Sequence, residues 1–547
     1  MLLAVLAYPA ASAMDEATIK RALCRPGALP AATRDAPTGA APVVVETHAS
    51  IVLLTDERAW KLKKHVDLGF LDFRTIEARK RDCDEEVRLN RRFAPEIYLG
   101  VWPVVAKDGD VRVERSERPE GTIVDWAVEM RRLPADGMLD RVVAGGGPPA
   151  ALIDEFAGAV ARFHARAATG AGVDEYGRIE RVAARMNDNL ARLRQHAPLP
   201  AAFADRIAER LRARLDAIAP LLDARRLGGR VRELHGDLHC RNCCVLDGRI
   251  VAYDCLEFSV AYRCADVASE IAFLAMDLDA RGRSDLAESF IDAYADASGD
   301  RGVRGVERFF RAHYAVIRAM VESIRLHDAA LDASERDAVR ATATNYALLA
   351  AGYLVQPALV VMTGLPATGK STIARRLAAP LRATIVRTDE IRKRLAGVAP
   401  TEHGGRDLYD ESHTRRTYDA VRAEVAATLA EGRTAIVDAA NLLRWQRRAF
   451  LETADAARCP CVVVEATADE STVRERMRAR SADRAEISDA TWQVYEALRA
   501  TREALDDVPR DRLVVLPSER GDAPDALVEV IHRLLAQPAA ASLSPPA

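Results

Sequence analysis

The spacing of apolar positions changes twice along the chain, and the three stretches it separates predict three kinds of architecture. From about 41 to 135, short β-type runs dominate: Val43–Glu46, Ile51–Leu54 and Ala59–Lys63, with Thr55-Asp56-Glu57 as a turn. Ile76 to Phe93 is charged and helical in spacing. Two more β-type runs follow at Tyr98–Val105 and Val124–Arg131, with Asp108-Gly109 turning between them. From 136 to 350 helical spacing prevails, as in Ala151–Ala168 and Ala201–Arg225. From 358 to 535 apolar strands at Leu359–Thr363, Thr384–Val386, Thr434–Val437, Cys461–Glu465 and Leu513–Leu516 alternate with helices. That alternation calls for a parallel sheet covered on both faces. Residues 1–40 form an N-terminal segment, and 536–547, rich in Ala, Ser and Pro, read as a disordered tail. No internal repeat relates the halves.

Bulk properties narrow the function classes. A chain of 547 residues exceeds one core, since domains average about 150 residues. With 49% hydrophobic and 29% charged residues it is ordinary for globular domains, and a net charge of −3 gives no reason to expect nucleic acid or a membrane surface. Nine cysteines are too sparse for a disulfide scaffold and suit a reducing cytoplasm. Met1–Ala13 imitates a signal peptide but lacks a basic start and is interrupted by Pro9, so translation from Met14 and a cytoplasmic location are expected.

The segment from Gly364 to Ser371 fits G-x-x-x-x-G-K-S, between an apolar strand and a helix. Gly364 and Gly369 let the backbone of Leu365, Pro366, Ala367 and Thr368 wrap a phosphate chain with its N–H groups inward. The helix N-terminus from Thr372 adds partial positive charge, Lys370 reaches the terminal phosphates and the Ser371 hydroxyl can hold Mg2+. The neighbouring strand Thr434–Val437 delivers Asp438 as the metal-anchoring acid, with Asn441 within reach. Asp389 opens a helix right after the second strand. There it can orient or deprotonate an acceptor hydroxyl, or simply cap the helix. Arg476 and Arg480 share a helix face and Arg484 follows in a loop, placed to close over phosphates. This half resembles the small P-loop kinases of the zeta-toxin, gluconate-kinase and chloramphenicol-phosphotransferase type, closest at Thr388–Lys393.

A second constellation precedes it. His235-Gly236-Asp237-Leu238-His239-Cys240-Arg241-Asn242 is followed by two apolar runs joined at Asp247-Gly248, a hairpin signal that returns the chain to Asp254. Asp237, Asn242 and Asp254 then converge as oxygen donors, which phosphoryl transfer with Mg2+ requires. The cysteines and histidines of this loop lack a second metal-binding pair at zinc-site spacing, so the cysteines read as small apolar fillers packed beneath the loop.

Residues 41 to 350 resemble the aminoglycoside phosphotransferase family, whose fold is that of the protein kinases. The resemblance implies Asp237 as catalytic base, Asn242 and Asp254 as magnesium ligands, and Asp266 as a structural acid. It also implies a phosphate-contacting lysine on the third strand, read as Lys63 in preference to Lys61. The helix partner is read as Glu86 in preference to Glu85, and Glu129-Met130-Arg131 as the adenine hinge. There is no glycine-rich loop in the first hairpin, so a phosphate lid would form around Ser50. The order of the halves resembles bacterial bifunctional fusions of an aminoglycoside phosphotransferase-like part with a P-loop ATP-binding part. The expected fold is an α+β kinase-like domain followed by an α/β P-loop domain. The expected chemistry is ATP- and Mg2+-dependent transfer to a hydroxyl of a small molecule, with no nucleic-acid or membrane partner. Fusion suits sequential phosphorylation of one metabolite. The competing expectations are that one half is a nucleotide-binding module gating the other, or that the P-loop half is a toxin-like kinase.

Overall fold

The computed structural model describes residues 14–31, 40–67, 72–355, 357–398, 410–481, 491–518 and 524–537, so the apolar segment Met1–Ala13 lies outside the described residues. The chain divides into two compact units. One is Met1–Arg178 with Asp223–Arg281 and Asp285–Val303; the other is Ile179–Leu222 with Gly282–Ser284 and Arg304–Ala547. Helix Ala333–Leu354, at the end of the helical stretch, lies against helices Lys370–Leu381 and Pro524–Ala536.

The first unit carries a six-stranded sheet of β1 (Val43–Glu46), β2 (Ser50–Leu54), β3 (Arg58–Lys63), β4 (Tyr98–Lys107), β5 (Asp110–Val113) and β6 (Thr122–Arg131), in the order β1-β2-β3-β6-β4-β5. Every neighbouring pair is antiparallel. Strand β5 was not expected. Asp108 and Gly109 both adopt left-handed φ (53° and 87°), which folds the chain straight back onto β4. Alternation along β3 sorts its side chains. Trp60 and Leu62 join Ile19 and Leu23 of helix Glu16–Leu23 on one face, while Ala59 packs with Cys83 and Val87 of helix Ile76–Asn90 on the other. Burying a side chain the size of Trp60 is worth about 2–3 kcal/mol, enough to set the register, since a one-residue slip would expose it.

Below the sheet lie β7 (Val231–Glu233), the hairpin β8 (Cys243–Leu246) and β9 (Arg249–Ala252), and β10 (Cys264–Asp266). The hairpin turns at Asp247-Gly248 with φ of 50° and 80°. Helix Val267–Ala280 is buried on almost every side, so it shows little amphipathic pattern. Asp266 caps it by accepting from the Ala268 N–H and pairs with Arg225, which also holds Asp300; its role is structural.

The second unit holds a five-stranded parallel sheet of β11 (Leu359–Thr363), β12 (Thr384–Arg387), β13 (Ala435–Asp438), β14 (Cys461–Thr467) and β15 (Leu513–Pro517), ordered β12-β13-β11-β14-β15. The central strands are covered on both faces, which is why β11, β13 and β14 read as unbroken apolar runs. The tail starts later than its composition suggests. Ala536 ends a helix, and the Gln537 side chain exchanges two hydrogen bonds with the Cys461 backbone at 2.8 and 2.9 Å; residues 538–547 lie outside the described residues. Among the described residues no helix is long and apolar enough to cross a membrane.

Candidate active sites

In the first unit, loop, hairpin and β3 converge. Gly236 takes φ +86°, and its N–H donates to Glu270 at 2.7 Å; Glu270 is itself held by His164 at 2.6 Å. The Cys240 N–H donates to the buried Asp277 at 2.9 Å. Two acids of helix Val267–Ala280 thus anchor the loop through its backbone. Within it, Asn242 Nδ2 donates to Asp237 Oδ2 at 2.8 Å, and His239 Nε2 lies 3.5 Å from the same oxygen. A carboxylate only accepts, so the Asn242 amide must turn its nitrogen to Asp237 and keep its carbonyl oxygen for another partner.

The hairpin does what its sequence implies. Cys243 pairs with Ala252, and the Tyr253 N–H donates to the Asn242 carbonyl at 2.9 Å, so Asp254 returns beside the loop. Asp254 sits at φ +61°, and its N–H donates to Tyr98 Oη at 3.0 Å. The lysine that meets it is Lys61, not Lys63. Lys61 Nζ lies 2.7 Å from Asp254 Oδ1 and 2.8 Å from Glu86 Oε1. Burial alone would lower the Lys61 ammonium, but Asp254 and Glu86 hold it well above its ordinary value. Burial likewise opposes ionisation of Asp254, and Lys61 outweighs it, leaving the carboxyl below its usual range.

The expectation for Lys63 is therefore corrected. It lies on the same face of β3 but one pleat further along, enclosed by Asp82, Glu86 and Glu257. Only the packing of the Asp254 segment against β3 separates the two lysines. Glu86 is fully buried between them, whereas Glu85 pairs outward with Arg88 and Arg263. At the strand expected to form the hinge, the Glu129 carboxylate is taken by Arg58, Trp102 and Arg115. Ser50 is buried at the start of β2 opposite Lys63 and closes the turn Thr47-His48-Ala49, its N–H donating to Thr47 Oγ1 at 3.0 Å. The loop cysteines Cys240, Cys243 and Cys244 are buried, and burial pushes the Cys244 thiol up to about 11.

In the second unit the glycine-rich loop follows β11. A Cβ on Gly364 (φ +139°) would lie 2.5 Å from the Ala466 carbonyl oxygen; on Gly369 (φ +92°) it would lie 3.0 Å from Ser518 Cβ. Both close approaches require glycine. Thr368 Oγ1 donates to the Leu365 carbonyl at 2.8 Å, and Lys370 Nζ donates to the same oxygen at 2.7 Å. Lys370, Ser371 and Thr372 open the helix that follows. Parallel register sets Asp438 at the end of β13 beside Arg387, whose Nε is 3.2 Å away. Asn441 is fully buried and donates to the Met362 carbonyl at 2.7 Å, bracing the strand before the loop.

Asp389 is the second residue of helix Thr388–Ala396, after an N-cap at Arg387, so it does not cap that helix. Burial raises its carboxyl above the ordinary range, Asp438 adds to the rise, and Arg392, Arg387 and Lys370 oppose it. Arg476 Nη1 donates to Ser518 Oγ at 2.7 Å and lies 3.4 Å from the Ala367 carbonyl, so a guanidinium rests on the phosphate loop. The Arg480 side chain and Arg484 lie outside the described residues. Sequence reasoning missed Ser518 and Arg387; neither belongs to a motif, and only the strand order brings them in.

Residues 55–309 match a family model described as Phosphotransferase enzyme family, and residues 359–505 one described as AAA domain. Uncharacterized proteins of Mycobacterium tuberculosis and Mycobacterium bovis are 33% identical over 471 residues, covering 84% of this chain and 89% of each relative. The chain belongs to their family. This chain joins an aminoglycoside phosphotransferase-like domain of protein-kinase fold to a P-loop kinase-like domain. Solved structures similar to parts of this fusion include a choline/ethanolamine kinase family protein from Mesorhizobium loti (14% identity, 60% of this chain and 93% of that one, TM-score 0.36). Others are a gluconokinase from Sinorhizobium meliloti (19%, 32% and 91%, TM-score 0.23) and a sugar kinase from Janibacter sp. (19%, 32% and 90%, TM-score 0.24).

Proposed function

We propose that this fusion is an ATP- and Mg2+-dependent phosphotransferase with two nucleotide sites, each passing a γ-phosphate to a hydroxyl of a small molecule. The observation that carries the reading is the chain of contacts Glu86–Lys61–Asp254 beside the bonded pair Asp237–Asn242. At the first site Asp237 accepts the proton of the attacking hydroxyl, and Asn242 keeps its carboxylate turned toward that hydroxyl. Lys61 contacts the phosphates and Glu86 fixes its direction. Asn242 and Asp254 fit Mg2+ because each offers a hard oxygen, and Lys61 engages only Oδ1 of Asp254 in the contacts it makes there. Bound Mg2+ supplies positive charge that offsets the phosphate oxygens during transfer. At the second site the loop from Gly364 to Ser371 cradles the phosphates, while Ser371 and Asp438 suit the metal. Asp389 faces the acceptor, and Arg476 lies over the loop to offset developing charge.

The test is ADP release by the full chain across a panel of hydroxyl-bearing metabolites, compared with Asp237→Asn and Lys370→Ala. Each variant is expected to lose about 10²–10⁴ in rate on its own set of acceptors. If only one variant loses turnover while the other half still binds nucleotide, that half is a gating module. Turnover unaffected by either substitution would exclude both sites.

A further inference from the structure

Lys63 takes no part in the reading above, yet it is the most enclosed cation beside the first site. Only 2% of its side chain is exposed. Its ammonium lies 2.7 Å from Asp82 Oδ2, 2.7 Å from Glu86 Oε2 and 2.5 Å from Glu257 Oε1, with the Phe73 ring 5.7 Å away. Asp82 and Glu86 stand one turn apart on helix Ile76–Asn90, whereas Glu257 lies three residues beyond Asp254. These three carboxylates come within 4.8 Å of one another. Without a cation among them their repulsion would be large in a buried setting. Burial alone would lower the Lys63 ammonium, but Glu86 and Glu257 hold it well above its ordinary value.

Glu86 is divided between two lysines: Oε1 meets Lys61 and Oε2 meets Lys63. Four carboxylates (Asp82, Glu86, Asp254 and Glu257) thus share two ammonium groups. If Lys63 lost its charge, Lys61 would be the one cation facing all four. Its lowest-energy position would shift toward Glu86 and the acids behind it, and away from Asp254.

We propose that Lys63 is a positioning residue: a buried counter-ion that hydrogen-bonds Glu257 and offsets the charge of Asp82 and half of Glu86, and so leaves Lys61 at Asp254 to meet the phosphates. It also straps β3 to the segment carrying the metal-binding acid, since Lys61–Asp254 and Lys63–Glu257 cross the same gap. The inference rests on the first site being a nucleotide site.

The test uses the full chain carrying Lys370→Ala, so that calorimetric MgATP binding reports on the first site. Lys63→Met in that background is expected to weaken MgATP binding at least tenfold and to raise KM for ATP. Lys63→Met with Glu257→Gln removes the ammonium together with the acid it faces, a carboxyl that burial raises to about 7, and is expected to return binding to within about threefold of the parent. A packing role predicts the opposite, because the double variant loses more contacts. Unchanged binding in Lys63→Met, or no recovery in the double variant, overturns the inference. If Lys63→Met does not fold, the double variant alone decides: near-parent binding supports the counter-ion role and lost binding overturns it. A parent that binds no MgATP overturns the inference together with the functional reading; failure of the inference alone is distinguished because the parent then binds.

Discussion

The two candidate sites are built in opposite ways. At the P-loop, one run of eight residues supplies the cradle, and its shape is held by backbone geometry: glycines at Gly364 and Gly369, and two side-chain donors on the Leu365 carbonyl. At the kinase-like site the working groups come from β3, helix Ile76–Asn90, the Asp237 loop and the return of a hairpin, and ion pairs hold them. A contiguous cradle is sensitive to added volume. A dispersed one is sensitive to lost charge. The comparison teaches that added volume along the backbone should injure the cradle far more than the dispersed site, whereas loss of a charged group that touches phosphate can injure either.

The largest effect expected is from charge at the dispersed site. Lys61→Met should lower kcat/KM there by about 10²–10³, through loss of a phosphate donor and an uncompensated Asp254. Acceptors used by the P-loop site should be untouched, which steady-state assays on each acceptor set would check. Volume should act next, and only at the cradle. Gly364→Ala places a Cβ 2.5 Å from a carbonyl oxygen at φ +139° and should cost about 2–3 kcal/mol in denaturant unfolding. Gly397→Ala, in open space at φ +69°, should cost about 1 kcal/mol. Equal losses would remove the steric argument.

Acidification should separate the sites more gently. Asp389 has a raised pKa and takes up its proton first as pH falls, whereas Asp254 is held down by Lys61 and stays charged further. As pH falls, kcat/KM of the P-loop site should therefore drop before Asp254 loses its charge. Profiles measured in the Asp237→Asn background report this, and Asp389→Asn should flatten them. The same shift has a stability sign. The unfolded chain releases the Asp389 proton near the model-peptide value and the folded chain releases it later, so this group lowers stability as pH rises through that window. The smallest effect concerns thiols. Cys244 and Cys459 are each pushed up to about 11 by burial, so iodoacetamide at neutral pH should leave both unmodified in the native protein, by mass spectrometry.

Legibility followed construction. The P-loop could be read residue by residue, because a single turn of chain holds all its parts. Asp237, Asn242 and Asp254 could be read together because Asp247-Gly248 dictates a tight hairpin whose length sets the return. Lys61 and Lys63 could not be told apart, since alternation puts both on one face and either can reach Glu86. Ser518 meeting Arg476 across Gly369 left no trace in local spacing, because it depends on β15 closing the sheet beside β14. The packing of helix Ala333–Leu354 against helices Lys370–Leu381 and Pro524–Ala536 was hidden for the same reason: helical spacing says which face is buried, not against what.

Local chemistry along the chain was enough to determine the phosphate loop, the hairpin that returns an acid to its partner, and the change from antiparallel strands to strand–helix alternation. Those features arise from steric limits and hydrophobic period over a few residues. Which lysine meets Asp254, which acid is divided between two cations, and which helices pack on which core were decided by tertiary packing. Charges 25 to about 195 residues apart in sequence interact only after the chain has brought them within 3 Å, and their energies depend on burial that no short segment contains.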